Sequence, residues 1–100
     1  MSGLPGVPVH DADMDRSAYF LAARIVVNRE DPVGLLGMGA PEDEYDPEVR
    51  DLVKWREAVT ADQVRAVFLR WFGESGVMPP DMAARIADGV NQARARQLPD

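Results

Sequence analysis

The sequence has no cysteine, one histidine (His10) and one lysine (Lys54) in 100 residues. Without cysteine there are no disulfides, no thiolate nucleophile and no sulfur-ligated metal, and nothing argues for an oxidising compartment. A cytoplasmic protein is the expectation. A single histidine cannot build an imidazole metal cluster. No apolar run approaches the ~20 residues of a membrane-spanning helix. The opening Met1-Ser2-Gly3-Leu4-Pro5 lacks the basic start and apolar block of a secretory signal. Positive charge is scarce: eleven bases against seventeen acids leave a net charge of −6. That balance disfavours nucleic acid and anionic membranes and permits a basic protein partner. No segment alternates apolar and polar residues for long enough to form a strand, so a sheet is not expected.

What remains is an ordinary globular composition, 46% apolar and 28% charged, long enough for one core and too short for two. Ten of the eleven bases are arginine, and alanine and valine are abundant, the usage expected of a GC-rich bacterial genome. Gly3, Pro5, Gly6 and Pro8 break the opening, which predicts a mobile arm over residues 1–12 and a single helical domain over 13–98.

The first helix is predicted from Asp13 to Arg29. At 100° per residue, Met14, Ala18, Leu21, Ala22 and Ile25 share one face, and Phe20, Ala23 and Val27 form a second strip. A helix apolar on two sides is either central to its domain or lends one face to another subunit. Tyr19, between the strips, is expected at the rim of the core with a wet hydroxyl. Asp31-Pro32 reads as cap plus first position of a short turn through Leu36, which Gly37, Gly39 and Pro41 close. Asp46-Pro47-Glu48 repeats that signal and opens a third helix to Ala58, with Val49, Leu52, Val53, Trp55 and Val59 on its apolar arc and Arg56 inside that arc. Thr60-Ala61-Asp62-Gln63 fits a capping box ahead of a helix to Phe72, striped by Val64, Val67, Phe68, Trp71 and Phe72 and closed by Gly73. Pro79-Pro80-Asp81 opens the last helix, with Met82, Ile86, Val90 and Ala93 on one side. Gly89 within it predicts fraying or a close helix contact. The fold class is therefore all-α, a compact bundle of four longer helices plus one short helical turn.

The densest chemistry is acidic. Glu42, Asp43, Glu44, Asp46, Glu48 and Asp51 place six carboxylates within ten residues, opposed only by Arg50. Their repulsion must be met by water, a cation or an arginine-rich surface. Other motifs fail on inspection. Asp11, Asp13 and Asp15 mimic a calcium loop, but Arg16 stands where glycine is needed and Ala22 where the closing glutamate is needed. The glycine run from Gly34 to Gly39 lacks the Lys-Ser/Thr of a phosphate loop and follows no strand. His10 lies ahead of the expected helices, where a general base is poorly placed. No cofactor and no metal are expected.

The segment Asp31-Pro32-Val33-Gly34-Leu35-Leu36, followed by Gly39-Ala40-Pro41-Glu42-Asp43-Glu44-Tyr45-Asp46-Pro47-Glu48, resembles a small bacterial all-helical family of unknown function. That family carries an Asp-Pro-hydrophobic-Gly turn and then an Ala-Pro-x-Asp-Glu-Tyr segment. The resemblance spans Ile25 to Thr60 and implies a compact helical fold in which Asp43, Glu44 and Tyr45 recur as a unit. It transfers no catalytic role, and the unit can equally be structural, with the Tyr45 hydroxyl bonded internally.

Three functions follow as expectations. The first is a non-catalytic interaction protein, immunity- or antitoxin-like, presenting Glu42, Asp43, Glu44, Tyr45 and Glu48 to a basic protein partner. The second is a small helical tailoring enzyme or accessory factor for a peptide or metabolite, with Arg24, Arg56 and Tyr45 as polar anchors. The third is a homodimeric structural subunit burying Phe20 and Val27 between chains.

Overall fold

The computed structural model describes the backbone of residues 7–55 and 57–98, with side chains from Arg16 onward. Four α-helices follow one another: α1 Val7–Glu30, α2 Asp46–Val53, α3 Ala61–Phe72 and α4 Pro80–Gln97. Two 3-10 turns, Leu36–Met38 and Gly73–Gly76, lie before α2 and directly after α3. No strand occurs among the described residues, and the chain folds as the all-α bundle its periodicity predicts.

α1 starts at Val7, six residues before the predicted Asp13. Pro8 falls in its first turn, where a missing N–H costs nothing and a fixed φ suits the helix. The expected arm over residues 1–12 is thus helical from residue 7, and residues 1–6 lie outside the described residues. α1 ends where Asp31 turns left-handed at φ 48° with its N–H still on the Val27 carbonyl at 2.9 Å. Pro32 then prevents continuation.

α2 stops at Val53, five residues short of the predicted Ala58. Beyond that end, Asn91 of α4 holds Val59 in a non-helical position. Its Oδ1 accepts the Val59 N–H at 2.7 Å and its Nδ2 donates to the Val59 carbonyl at 2.8 Å. Had the helix continued, the Val59 N–H would be committed four residues back. Thr60 then takes an extended conformation and forms both halves of the capping box with Gln63, as the sequence predicts. Gly73, at φ 60°, ends α3 as its sequence position predicts.

Of the two apolar strips expected on α1, the core takes the one that holds Ala23 and Val27. Tyr19, Ala23, Val26 and Val27 are buried against α4 and α2, while Leu21 and Ile25 are 49% and 65% exposed. The reason is the fit with α4. A Cβ built on Gly89 would lie 2.6 and 3.0 Å from the two methyls of Val26, so glycine lets the helices approach. Gly89 serves the close contact that its position suggested. Tyr19 is fully enclosed, its hydroxyl without a partner among the described residues, and burial pushes its pKa up.

Ile86, Val90 and Ala93 of α4 and Val64, Val67 and Phe68 of α3 are buried as their stripes predict, with Met82 and Phe72 partly so. Trp71 is half exposed, and its indole donates to Asp51 Oδ2 at 2.7 Å, tying α3 to α2.

Gly89→Ala tests the close contact. In an ordinary exposed helix this change stabilises by roughly 1 kcal/mol. Here it drives a methyl into the β-branched Val26, whose χ1 is stiff in a helix, so a loss of about 1–3 kcal/mol is expected in urea denaturation. Adding Val26→Ala should make the glycine replacement far less harmful than it is alone. Equal costs in both backgrounds would show that the contact does not limit the packing.

Candidate functional site

The segment between α1 and α2 holds most of the residues singled out by their chemistry, and it is organised around one oxygen. The Tyr45 ring is completely buried, edge-on to Phe68 and Phe72 at centroid distances of 6.0 and 6.2 Å. Its hydroxyl accepts the N–H groups of Val33 (3.0 Å) and Leu35 (3.3 Å) and donates to Asp31 Oδ1 at 2.7 Å. Asp31 in turn accepts the N–H of Leu36 on Oδ1 (3.0 Å) and of Gly37 on Oδ2 (2.9 Å). The aspartate expected to cap a turn at Pro32 therefore caps the 3-10 turn at Leu36–Met38 instead. Burial alone would raise the Asp31 carboxyl, but the bonds from Tyr45, Leu36 and Gly37 together hold it below its ordinary value. Burial, and then the bond to Asp31, push the Tyr45 phenol up.

A phenolic oxygen that accepts twice and donates once has no capacity left for a substrate or partner. Tyr45 thus leaves both of its expected roles, the exposed recognition aromatic and the pocket anchor. Glu48 leaves the recognition surface too. It is buried, and its Oε1 has no partner among the described residues. Burial raises its pKa, and the nearby Asp51, Glu44 and Asp46 add to the rise.

Arg24 is occupied as well. Its Nε and Nη2 grip Asp46 Oδ1 and Oδ2 at 2.9 and 2.6 Å, with Glu42 Oε1 at 3.9 Å. Asp46 therefore spends its carboxylate on α1 rather than on capping α2, whose cap position, Tyr45, makes no side-chain cap bond. The Arg24 guanidinium also lies 5.6 Å from the centre of the Phe20 ring, and Arg50 lies at the same distance from that ring. Arg56 lies outside the described residues. So do the side chains of His10, Asp11, Asp13, Met14 and Asp15.

Of the expected recognition set, Glu42, Asp43 and Glu44 remain outside. Their backbone is held in place: Asn28 Nδ2 donates to the Glu42 carbonyl at 2.7 Å, and the Tyr45 anchor follows directly. Met38, at the other end of the loop, is 75% exposed. Among the described residues no group of three or more histidine, cysteine, aspartate or glutamate side chains is arranged to hold a metal. No helix there is long and apolar enough to cross a membrane.

One signal in the sequence could have placed Tyr45 and Glu48. Tyr45, Glu48, Val49 and Leu52 follow the i, i+3, i+4, i+7 spacing of a buried helical face, extended one residue ahead of α2. Asn91 was missed as well, and its place at the edge of the buried face of α4, one turn after Ala87, is the comparable sign. Comparison of the chain with protein-family models, with curated proteins and with solved structures found no match.

Two variants test this geometry. Tyr45→Phe keeps the ring packing but strands two buried amides and removes one bond to Asp31. Urea denaturation should show a loss of about 1–3 kcal/mol with little change in helical signal. An unchanged midpoint would mean that water replaces the hydroxyl. Glu48→Gln concerns pH. A carboxyl whose pKa is raised on folding binds its proton more tightly when folded, so stability is lost as pH rises from the ordinary value through the raised one. Glu48→Gln should therefore raise the melting temperature at neutral pH, and the gain should shrink as pH falls through the window down to 4.5, the ordinary glutamate value. A gain that is constant with pH would exclude ionised Glu48 as its source.

Proposed function

We propose that this chain is a non-catalytic binding protein that meets a basic protein surface with the corner Glu42-Asp43-Glu44. The observation that carries the reading is the fixed backbone beneath exposed carboxylates. The loop is pinned by Asp31, Tyr45 and Asn28, so its charges are presented with little ordering left to lose on binding. A net charge of −6 adds long-range attraction for a cationic surface and speeds encounter. The exposed thioether of Met38 on the same loop supplies an apolar contact beside the charges. An immunity- or antitoxin-like role in a bacterial cytoplasm is the specific form this reading takes, as is membership of the helical family that the Asp-Pro and Ala-Pro-x-Asp-Glu-Tyr segments resemble.

The tailoring-enzyme reading has less support. Arg24 is committed to Asp46, and the Tyr45 hydroxyl is saturated by three internal bonds. The dimer through Phe20 and Val27 loses Val27, which is fully enclosed in the chain's own core.

The test is capture from extract of the native host, comparing the wild-type chain with Glu42→Lys/Asp43→Lys/Glu44→Lys. The reading expects a basic protein retained by the wild type, lost on charge reversal, and associating at least about tenfold more slowly as salt rises. Equal retention by both chains would end it.

A further inference from the structure

The groove between α1 and α4 carries chemistry that the acidic corner does not use. Val26 and Arg29 of α1 face Arg85, Gly89 and Arg96 of α4 across a depression of about 220 Å³. Gly89 brings the two helices together at Val26, and it has no side chain of its own to fill the groove. Drug-sized ligands occupy pockets of roughly 300–1,000 Å³, so this volume suits a small polar group.

Glu30 sets the arrangement of the groove. Its largely enclosed carboxylate accepts Arg85 Nε on both oxygens, at 3.1 and 3.2 Å, and Arg85 Nη2 at 3.1 Å. Arg29 Nε lies 3.9 Å from the same carboxylate. Two guanidinium groups from neighbouring helices thus share one counter-charge. Arg85 Nη1 and both terminal nitrogens of Arg29 make no hydrogen bond among the described residues. Arg96 brings a third guanidinium to the depression and Gln92 an amide, while Asp88 brings one carboxylate. With Glu30 included, three positive charges stand against two negative ones, a local excess in a chain whose net charge is −6.

We propose that this groove binds a phosphate group, as the free ion or as the end of a small phosphate monoester. A guanidinium presents five N–H donors in a planar fork that matches phosphate oxygens, and Glu30 engages only part of the Arg85 fork. The three arginines approach from two helices and hence from different directions. A tetrahedral oxyanion offers oxygens in as many directions, whereas a carboxylate offers one planar edge. Bound phosphate also relieves the repulsion between Arg29 and Arg85, which a single shared carboxylate leaves half compensated. The site does not depend on the acidic corner. Arg24 and Asn28, on a different face of α1, hold the segment that carries that corner.

The test is NMR titration of the purified chain with inorganic phosphate at constant ionic strength. Saturable shifts should be confined to the Nε–H signals of Arg29 and Arg85 and to the amides around Gly89. Acetate at the same ionic strength should not saturate them. Arg96→Gln, which leaves the Glu30 contacts intact, should weaken phosphate binding at least about tenfold. Asp88→Asn removes the one carboxylate that lines the groove and should tighten binding about two- to fivefold. Asp88 and Arg96 are exposed, and circular dichroism should show both variants folded. Glycerol phosphate should shift the same signals. Tighter binding than the free ion assigns the groove to a monoester, and weaker binding assigns it to the ion. Shifts that rise linearly with phosphate, that spread evenly over the other arginines, or that survive Arg96→Gln unchanged would each overturn the proposal, as would weaker binding by Asp88→Asn.

Discussion

The Tyr45 hydroxyl is the point on which the first half of the chain depends. It joins a carboxylate at the end of α1, two amides of the connecting loop and, through its ring, the aromatic face of α3. A loop containing Gly34, Gly37 and Gly39 has a large conformational entropy to lose on ordering, and its buried amides are costly if unmet. One saturated oxygen and one doubly accepting aspartate meet those amides without regular structure. Asp31 adopts φ 48°, a conformation that L residues rarely take, and aspartate tolerates it better than most. Its three hydrogen bonds offset that strain. The direction of α2 follows, because Tyr45 occupies its cap position and Asp46, the next residue, is gripped by Arg24 of α1.

The same constraint sorts the dense acidic segment. Six carboxylates in ten residues cannot all share one environment without strong mutual repulsion. Asp46 meets a guanidinium in a two-point contact, the strongest arrangement open to it. Asp51 is held below the ordinary carboxylate range by the Trp71 indole, then by Lys54, against the opposing effect of burial. Glu48 is enclosed and pushed upward. Glu42 reaches Arg24 at 3.9 Å from the exposed side, and Asp43 and Glu44 face water. What reads in sequence as one uniform patch is two tied aspartates, one buried acid and three exposed charges. The recognition surface is correspondingly smaller than the patch.

Features set by neighbours in sequence were legible before any coordinates. The capping box at Thr60, the proline starts of α2 and α4, the glycine end of α3 and the stripes of α3 and α4 each depend on residues within a turn or two of one another. Features set by distant residues were not. α1 offers two apolar strips, and periodicity alone does not say which one the core takes. That choice rests on Gly89, sixty-three residues beyond Val26 in the chain. The anchoring of Val59 after α2 likewise depends on Asn91, thirty-two residues away. Tyr45 was misread for a different reason. Its neighbours in sequence are acids, which suggest water, whereas its neighbours in space are Phe68, Phe72 and the backbone of the loop.

The strip that α1 leaves outside is therefore a consequence of packing before it is a statement about function. Gly89 brings α4 close to Val26 and so fixes the rotation of α1 about its axis. With Tyr19, Ala23 and Val27 turned inward, Leu21 and Ile25 must lie roughly opposite. A chain under pressure only to stay dispersed would tend to place polar residues at such positions, since exposed apolar contiguity invites association.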